Sequence, residues 1–422
     1  MKTLRIALVL MAAACLVFAF GGVAFAFHDG GVAYCEGCHT MHNSLGGVSN
    51  SVGGWGSPGT THNQYLLKGT DPSSTCLNCH SHSGKPYNVM STDGSSYTPG
   101  GDFYWLTKTY TYSPWAGNTV TSQGQNHGHS IIAADFGLST DTTLTVQPGA
   151  GTQPLYQASN LACNSCHNPH GRVNGGTRNG QKPVSGSGSY GYTPVSGTIL
   201  GNYRLLGDSY YVPGDPAVYG PQPSGIAGYP QAWTWIYNAP VAVAPTTFKE
   251  IEGLGSAGIS HTDYGKGVAE WCANCHQGFL NGGGTGTNHR HPAGDAAKLG
   301  TTIAGFYNEY VSTGNITGAS ANAYLPLVPF ERGVTTGLSS TSTAGPDGTN
   351  AAVMCLSCHR AHATAFDEMT RWDTSAEYMS GSGALIAASK PWAANAPYYG
   401  WDIVANMGTY QRQLCNKCHI QD

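Results

Sequence analysis

The sequence predicts a mostly irregular chain with short helices and a few small hairpins, folded as one unit. Three observations lead there. Charged residues make up 10% of the 422-residue chain, against about 25% in an ordinary globular domain. Gly (59) and Pro (23) are abundant, and both interrupt long helices and strands. Cysteine recurs in one short pattern, six times over.

That pattern is Cys-x-x-Cys-His. It occurs at Cys35/Cys38/His39, Cys76/Cys79/His80, Cys163/Cys166/His167, Cys272/Cys275/His276, Cys355/Cys358/His359 and Cys415/Cys418/His419. Twelve of the 13 cysteines belong to it. Two thiols about one helical turn apart can form thioether bonds to the two vinyl groups of one porphyrin, and the next residue then lies beneath the iron. A CxxC pair alone also fits half a zinc site, a redox disulfide or a structural disulfide. The histidine that follows all six pairs separates this set from those readings. Six haem c groups are therefore expected in a haem-cored multihaem cytochrome c. The porphyrins would supply the apolar core that so polar and glycine-rich a chain lacks.

The N-terminus reads as a secretory signal. Lys2 and Arg5 form a basic start, Ile6 to Phe20 an apolar stretch too short for a membrane span, and Ala24-Phe25-Ala26 a small-x-small cleavage site. Residues 1–26 are thus expected to be removed, with 27–422 forming the hexahaem unit. An alternative is a lipoprotein cut before Cys15, within the loose lipobox Ala13-Ala14-Cys15. After cleavage at Ala26 every remaining cysteine lies in a haem motif, so no thiol is left for a disulfide. The expected location is secreted, at the outer surface or beyond, with the periplasm as the alternative.

The chain carries 19 Lys and Arg against 23 Asp and Glu, a net charge of −4. Loss of Lys2 and Arg5 and the gain of haem propionates make it more acidic. Nucleic acid is excluded as a natural partner. A weakly charged, Tyr- and Gly-rich surface has little self-repulsion and suits stacking into polymers.

First cysteines of successive motifs are 41, 87, 109, 83 and 60 residues apart, so there is no fixed repeat. Gly/Ser/Thr-rich gaps such as 180–196 and 336–350 read as loops. Short helices are expected at each motif. Leu299, Ile303, Phe306 and Tyr310 recur at helical spacing and predict a helix over 295–311. A second is expected over 361–370, and brief strands at 143–146 and 239–243.

A haem iron with one proximal histidine has a sixth position. A second side chain there gives a low-spin electron carrier, whereas an open position gives a site that binds substrate. Of 17 histidines, six are proximal: His39, His80, His167, His276, His359 and His419. Eleven remain, enough for bis-histidine ligation throughout, and the few methionines have no distinctive context. Three motifs extend to CxxCHxxH, adding His42, His170 and His362. Such a residue lies on the helix face of its own proximal histidine, so it cannot reach the far side of its own iron but can serve a neighbouring haem. His129 and His291 precede plausible structured segments and are further distal candidates. His28, beside the expected mature terminus, competes with His82. His62, His127, His261 and His289 are expected at the surface or against propionates.

Several stretches carry a resemblance. Phe27–Ser44, Cys163–Gly171, Glu270–His276, Arg290–Gly305, Cys355–Ala363 and Tyr410–His419 are similar to the hexahaem outer-surface c-type cytochromes of metal-reducing bacteria, along essentially the whole mature chain. The resemblance implies an extracellular filament with a continuous chain of bis-histidine haems. It implies that His42 binds the iron held by Cys355, Cys358 and His359 in the next protomer. His28, His129, His170, His291, His362 and His82 also match histidines of that family, leaving seven candidates for six places. His82 is held in reserve. The implied partners are further copies of the chain, upstream periplasmic or outer-membrane cytochromes, and extracellular metal oxides or electrodes.

The expected function is electron transfer rather than enzyme catalysis, with the chain as the subunit of a conducting polymer. One alternative is a discrete periplasmic or surface shuttle, with the same haems but monomeric. Another is a multihaem oxyanion reductase, which needs an open haem position, often marked by lysine in place of the motif histidine. All six motifs here end in histidine.

Overall fold

The computed structural model describes residues 35–40, 44–45, 48–49, 66–81, 88–112, 117–153, 155–167, 169, 203–207, 236–244, 253–255, 258–280, 282, 290–374, 403–407 and 414–419. The expected signal segment and cleavage site lie outside them, as do His28, His42, His62, His82, His170 and His289.

Within the described residues the architecture is irregular backbone punctuated by short elements. The helices are α1 (Cys35–Cys38), α2 (Pro72–His80), α3 (Cys163–Cys166), α4 (Val268–His276), α5 (Gly300–Glu309) and α6 (Ile403–Met407). Strands are two to four residues long: β1 (Ser44–Leu45), β2 (Val48–Ser49), β3 (Tyr110–Tyr112), β4 (Val120–Ser122), β5 (Val241–Val243), β6 (Gly253–Gly255), β7 (Gly258–Ser260) and β8 (Asp263–Lys266). They pair antiparallel as β1–β2, β3–β4, β5–β8 and β6–β7. No described helix is long and apolar enough to cross a membrane.

Every CxxCH motif begins on a helical turn. Four are α-helical, and Cys355–Ser357 and Leu414–Lys417 are 3₁₀ turns. The α2 helix starts where Asp71 accepts from the Ser74 N–H at 2.8 Å, with Pro72 at the first helical position, a placement that uses no missing donor. In α3 and in the Cys355 turn a serine reaches back instead. Ser165 Oγ accepts from the Ala162 N–H (2.9 Å) and Ser357 Oγ from the Met354 N–H (3.1 Å).

Four sequence expectations change. The helix expected from 295 begins only at Gly300, because Lys298 and Leu299 are already paired with the Ala351–Ala352 backbone. Gly300, at φ +67°, turns the chain into the helix, a conformation natural to glycine. No α-helix forms over 361–370. There the backbone bonds to other segments, with His129 N–H donating to His362 O, Thr364 N–H to His127 O and Asp102 N–H to Ala363 O. The strand expected at 143–146 is a single bridge from Val146 to Gln157, and that at 239–243 starts at Val241.

The polypeptide supplies apolar clusters of its own beside the motifs. The largest gathers Leu299, Tyr307, Tyr310, Leu327, Phe330 and Trp372. A second holds Leu77, Phe103, Trp105, Ile131 and Leu138, with Cys163 against it. A third, around Tyr203, Tyr264 and Met354, underlies α4. Burying each large side chain is worth about 1.5–3 kcal/mol. Tyr203, Tyr264, Tyr307 and Tyr324 are interior, where composition alone suggested a Tyr-rich surface.

Candidate functional site

The six motifs approach one another in sequence order. The Cys76 and Cys163 thiols of the second and third motifs are hydrogen-bonding neighbours, and so are Cys272 and Cys355 of the fourth and fifth. Cys38 lies near Cys76, Cys166 near Cys272 and Cys275, and Cys415 and Cys418 near Cys358. Burial pushes the free thiols of Cys166 and Cys358 up to about 12 and that of Cys418 to about 11.

The histidines form facing pairs. The ring centres of His167 and His362 are 6.2 Å apart, those of His276 and His129 6.0 Å, and those of His419 and His291 6.1 Å. Two imidazoles on opposite sides of one metal, with bonds of about 2 Å each and ring centres roughly 1.1 Å further out, should sit about 6.2 Å apart. All three pairs meet that spacing, and each joins a motif histidine to a distal candidate.

Five of the rings have their tautomer set by a backbone carbonyl. His129 Nδ1–H donates to Ala361 O (2.7 Å), His167 to Arg204 O, His276 to Pro148 O, His291 to Pro292 O and His359 to Glu368 O, the last four all at 2.8 Å. A carbonyl only accepts, so the proton sits on Nδ1 and Nε2 keeps its lone pair. Histidine ligands of metals are oriented in this way. Burial lowers the pKa of His129 and His167, takes His276 to about 4, and takes His362 to about 3 with His167 and His129 adding to the effect. The rings are therefore neutral, the form that binds a metal. One cleft is lined by His129, Tyr156, Cys166, Cys275 and His276 together. Donor set, spacing and tautomer together fit haem c.

The His362 result refines the expectation for CxxCHxxH. Its ring faces the third motif, not the fourth or sixth, whose thiols flank its own. Among the described residues no second imidazole faces His359. The distal candidates left after the three pairs (His28, His42, His170 and reserve His82) lie outside the described residues.

His127 and His261, expected at the surface or against propionates, are buried. His127 is fully buried, its Nδ1 against Trp105 O (2.8 Å) and its Nε2 against Ser122 Oγ (2.6 Å), with Ser122 donating to Asp367 (2.7 Å). His261 is also buried, stacked on Tyr324 at 3.7 Å, with its ring nitrogens on Thr262 O and Ser342 O. Both nitrogens of each ring are engaged, so neither ring offers a metal a lone pair. Their ring nitrogens found carbonyl and hydroxyl partners, which composition does not disclose.

The residue before the second cysteine is a site feature that motif reading missed. Ser165, Asn274, Ser357 and Lys417 all hold that position and all are buried. Asn274 Oδ1 accepts from the N–H groups of Ile236 and Tyr237. Lys417 Nζ donates to Tyr310 O at 2.6 Å over the Tyr307 ring. The polar identity of this inward position was the available signal.

The chain is 41% identical to C-type cytochrome OmcS of Geobacter sulfurreducens over 461 aligned positions spanning 100% of both proteins. It is also similar to two solved structures, the Outer Membrane Cytochrome S Filament and the OmcS nanowires imaged by cryo-EM, both from that organism. Identity is 38% in each case, with TM-scores of 0.74 and 0.75, covering 94% of this chain and 100% of the other. No protein-family model matches the chain.

Proposed function

Because the chain belongs to the family of C-type cytochrome OmcS, we propose that it is the subunit of an extracellular filament that carries electrons through six covalently bound haem c groups. The observation that carries this reading is the set of three imidazole pairs at 6.0–6.2 Å, joined to thiols that run in motif order. When bound, haem supplies a one-electron Fe(III)/Fe(II) couple.

The chain's own residues do the rest. Cys35, Cys38, Cys76, Cys79, Cys163, Cys166, Cys272, Cys275, Cys355, Cys358, Cys415 and Cys418 hold the porphyrins covalently. His39, His80, His167, His276, His359 and His419 are the proximal ligands. His362, His129 and His291 close the third, fourth and sixth sites, so substrate has no coordination position there. His28 and His170, with His82 in reserve, would supply ligands to the remaining sites. The contacts Cys76–Cys163 and Cys272–Cys355 set attachment points of consecutive sites side by side, which keeps the transfer distance short without any bond being made or broken.

His359 takes its second ligand, His42, from the next copy. Each junction is then a heterologous contact that propagates instead of closing, which gives a helical polymer. The 38% identical filament structures, matched over 94% of this chain, support assembly from copies of one chain. Export would follow removal of residues 1–26, with upstream cytochromes as donors and extracellular oxides or electrodes as acceptors.

The test is electron microscopy of the secreted protein with a haem count and electron paramagnetic resonance. Filaments with six low-spin haems per chain are expected. Discrete monomers would favour the shuttle, and a high-spin haem in the intact polymer would favour the reductase.

A further inference from the structure

Away from the facing histidines, three carboxylates converge, Glu331 buried and the other two half-buried. Glu270, Asp295 and Glu331 each place one oxygen within 4.8 Å of the others. Glu331 is fully buried. Its Oε2 accepts from the Val268 N–H at 3.1 Å, but its Oε1 is buried with no hydrogen bond. The same holds for Glu270 Oε2 and Asp295 Oδ1. The remaining oxygens are engaged on the outer side: Glu270 Oε1 accepts from the Asp295 N–H (2.7 Å), and Asp295 Oδ2 meets Lys266 Nζ (2.7 Å). Lys298 Nζ stands 4.0 Å from Asp295 Oδ1, beyond hydrogen-bond reach.

Unpaired buried carboxylate oxygens are costly, and three together repel. Burial pushes the Glu331 carboxyl up to about 8, and the charges of Glu270 and Asp295 add to the rise. A positive centre among the three would remove both penalties. Oxygens this close can share one ion with bonds of about 2.3–2.6 Å. An all-carboxylate set selects hard ions and disfavours soft transition metals.

We propose that Glu270, Asp295 and Glu331 form a binding site for a hard divalent cation, calcium or magnesium, distinct from the haem irons. Its place in the fold gives it a structural task. Glu270 lies on α4, two residues ahead of Cys272. Asp295 follows the His291 segment that faces the sixth motif histidine. Glu331 pairs through its backbone with Ala352, three residues before Cys355. The ion would clamp the approaches to the fourth, fifth and sixth sites to one another. Gly294, at φ +102°, belongs to the same cradle, since a Cβ there would come within 2.7 Å of Glu270 Oε1.

The experiment is elemental analysis of the purified, haem-loaded secreted protein, with iron as the internal count of chains. One calcium or magnesium per chain is expected after exchange into metal-free buffer. A strong chelator should remove it, and calcium chloride should restore it saturably at one ion per chain. Loss of an outer partner of a metal ligand weakens affinity about 10–100-fold, so Glu331→Gln is expected to weaken calcium binding by more than about tenfold while the iron count is unchanged. If the wild-type protein holds neither ion and takes up no calcium, or if Glu331→Gln binds as tightly as wild type, the proposal is wrong. Should the variant not accumulate, uptake of calcium chloride by the wild-type protein decides alone. The iron count and imaging report on the filament reading separately.

Discussion

His129 donates its backbone N–H to the carbonyl of His362 at 2.9 Å. The imidazoles that face the fourth and third motif histidines are therefore carried on two bonded stretches of chain, with Gly128 bridged to Ala363 and Thr364 N–H on His127 O. Neither distal ring is positioned alone, and a disturbance at the clasp is expected to register at both sites.

Gly128→Ala tests that coupling. A Cβ on Gly128 would lie 2.2 Å from His362 O and 2.5 Å from the Ala363 side chain, too close for the clasp to persist unchanged. The expected outcome is a loss of on the order of 1–3 kcal/mol in stability, in the range of overpacked interiors. Low-spin signals should change for two haems together. A change at one haem alone, with unaltered thermal unfolding, would count against the clasp.

His362→Ala is expected to affect one haem in six. The third site would lose its second nitrogen and become high-spin, visible by electron paramagnetic resonance, and added imidazole should reverse it. His362→Met should keep the site low-spin and raise its potential. A fully low-spin spectrum for the alanine variant would remove His362 from the ligand set.

His42→Ala addresses the junction between copies. Filaments should be lost or shortened, with the fifth haem turning high-spin and the other five unchanged in spin state. Long filaments with an unaltered fifth site would show that His359 draws its ligand from elsewhere.

Ser357→Ala removes the acceptor for the Met354 N–H at the turn carrying Cys355. The expected cost is about 1 kcal/mol, with up to about 3 for the donor left buried, read as a lower unfolding temperature. Ser165→Ala should behave alike at the third motif, where the Ala162 N–H loses the same contact.

Asp347 gives a pH signature. Burial alone would raise its carboxyl, but the N–H groups of Asn350, Thr349 and Ala351 outweigh it and hold the pKa below the usual aspartate range. A depressed folded pKa means stability that is present above the unfolded value of about 3.9 and is lost as pH falls through the folded one. Asp347→Ala should therefore cost under about 1 kcal/mol at neutral pH, since the group is exposed and screened. The difference from wild type should vanish in strong acid. A gap that persists there would mean that the turn is held by something other than the charged carboxylate.

The chemistry was legible from the chain alone because covalent haem attachment needs a fixed local spacing. Cys163, Cys166 and His167 carry the motif within five consecutive residues, as do the other five sets. The scarcity of long periodic stretches likewise announced an irregular fold. Pairing was not legible. His167 meets His362, and His276 meets His129, only after distant segments have bonded to each other, and no local spacing encodes that contact. Residues 361–370 have helical promise, yet their backbone bonds across to 127–129 and 100–102, because tertiary partners there outcompete a short helix that would be marginal on its own. His127 and His261 resemble spare ligands in a list of histidines, and only burial against Trp105 O, Ser122, Thr262 O and Ser342 O turns them into core residues. Glu270, Asp295 and Glu331 are ordinary acids in sequence, brought within 4.8 Å of one another by a helix, a turn and a bridge. Sequence determined which groups the chain can hold; the tertiary structure decided which side chains face each other, because opposition across a metal depends on long-range packing.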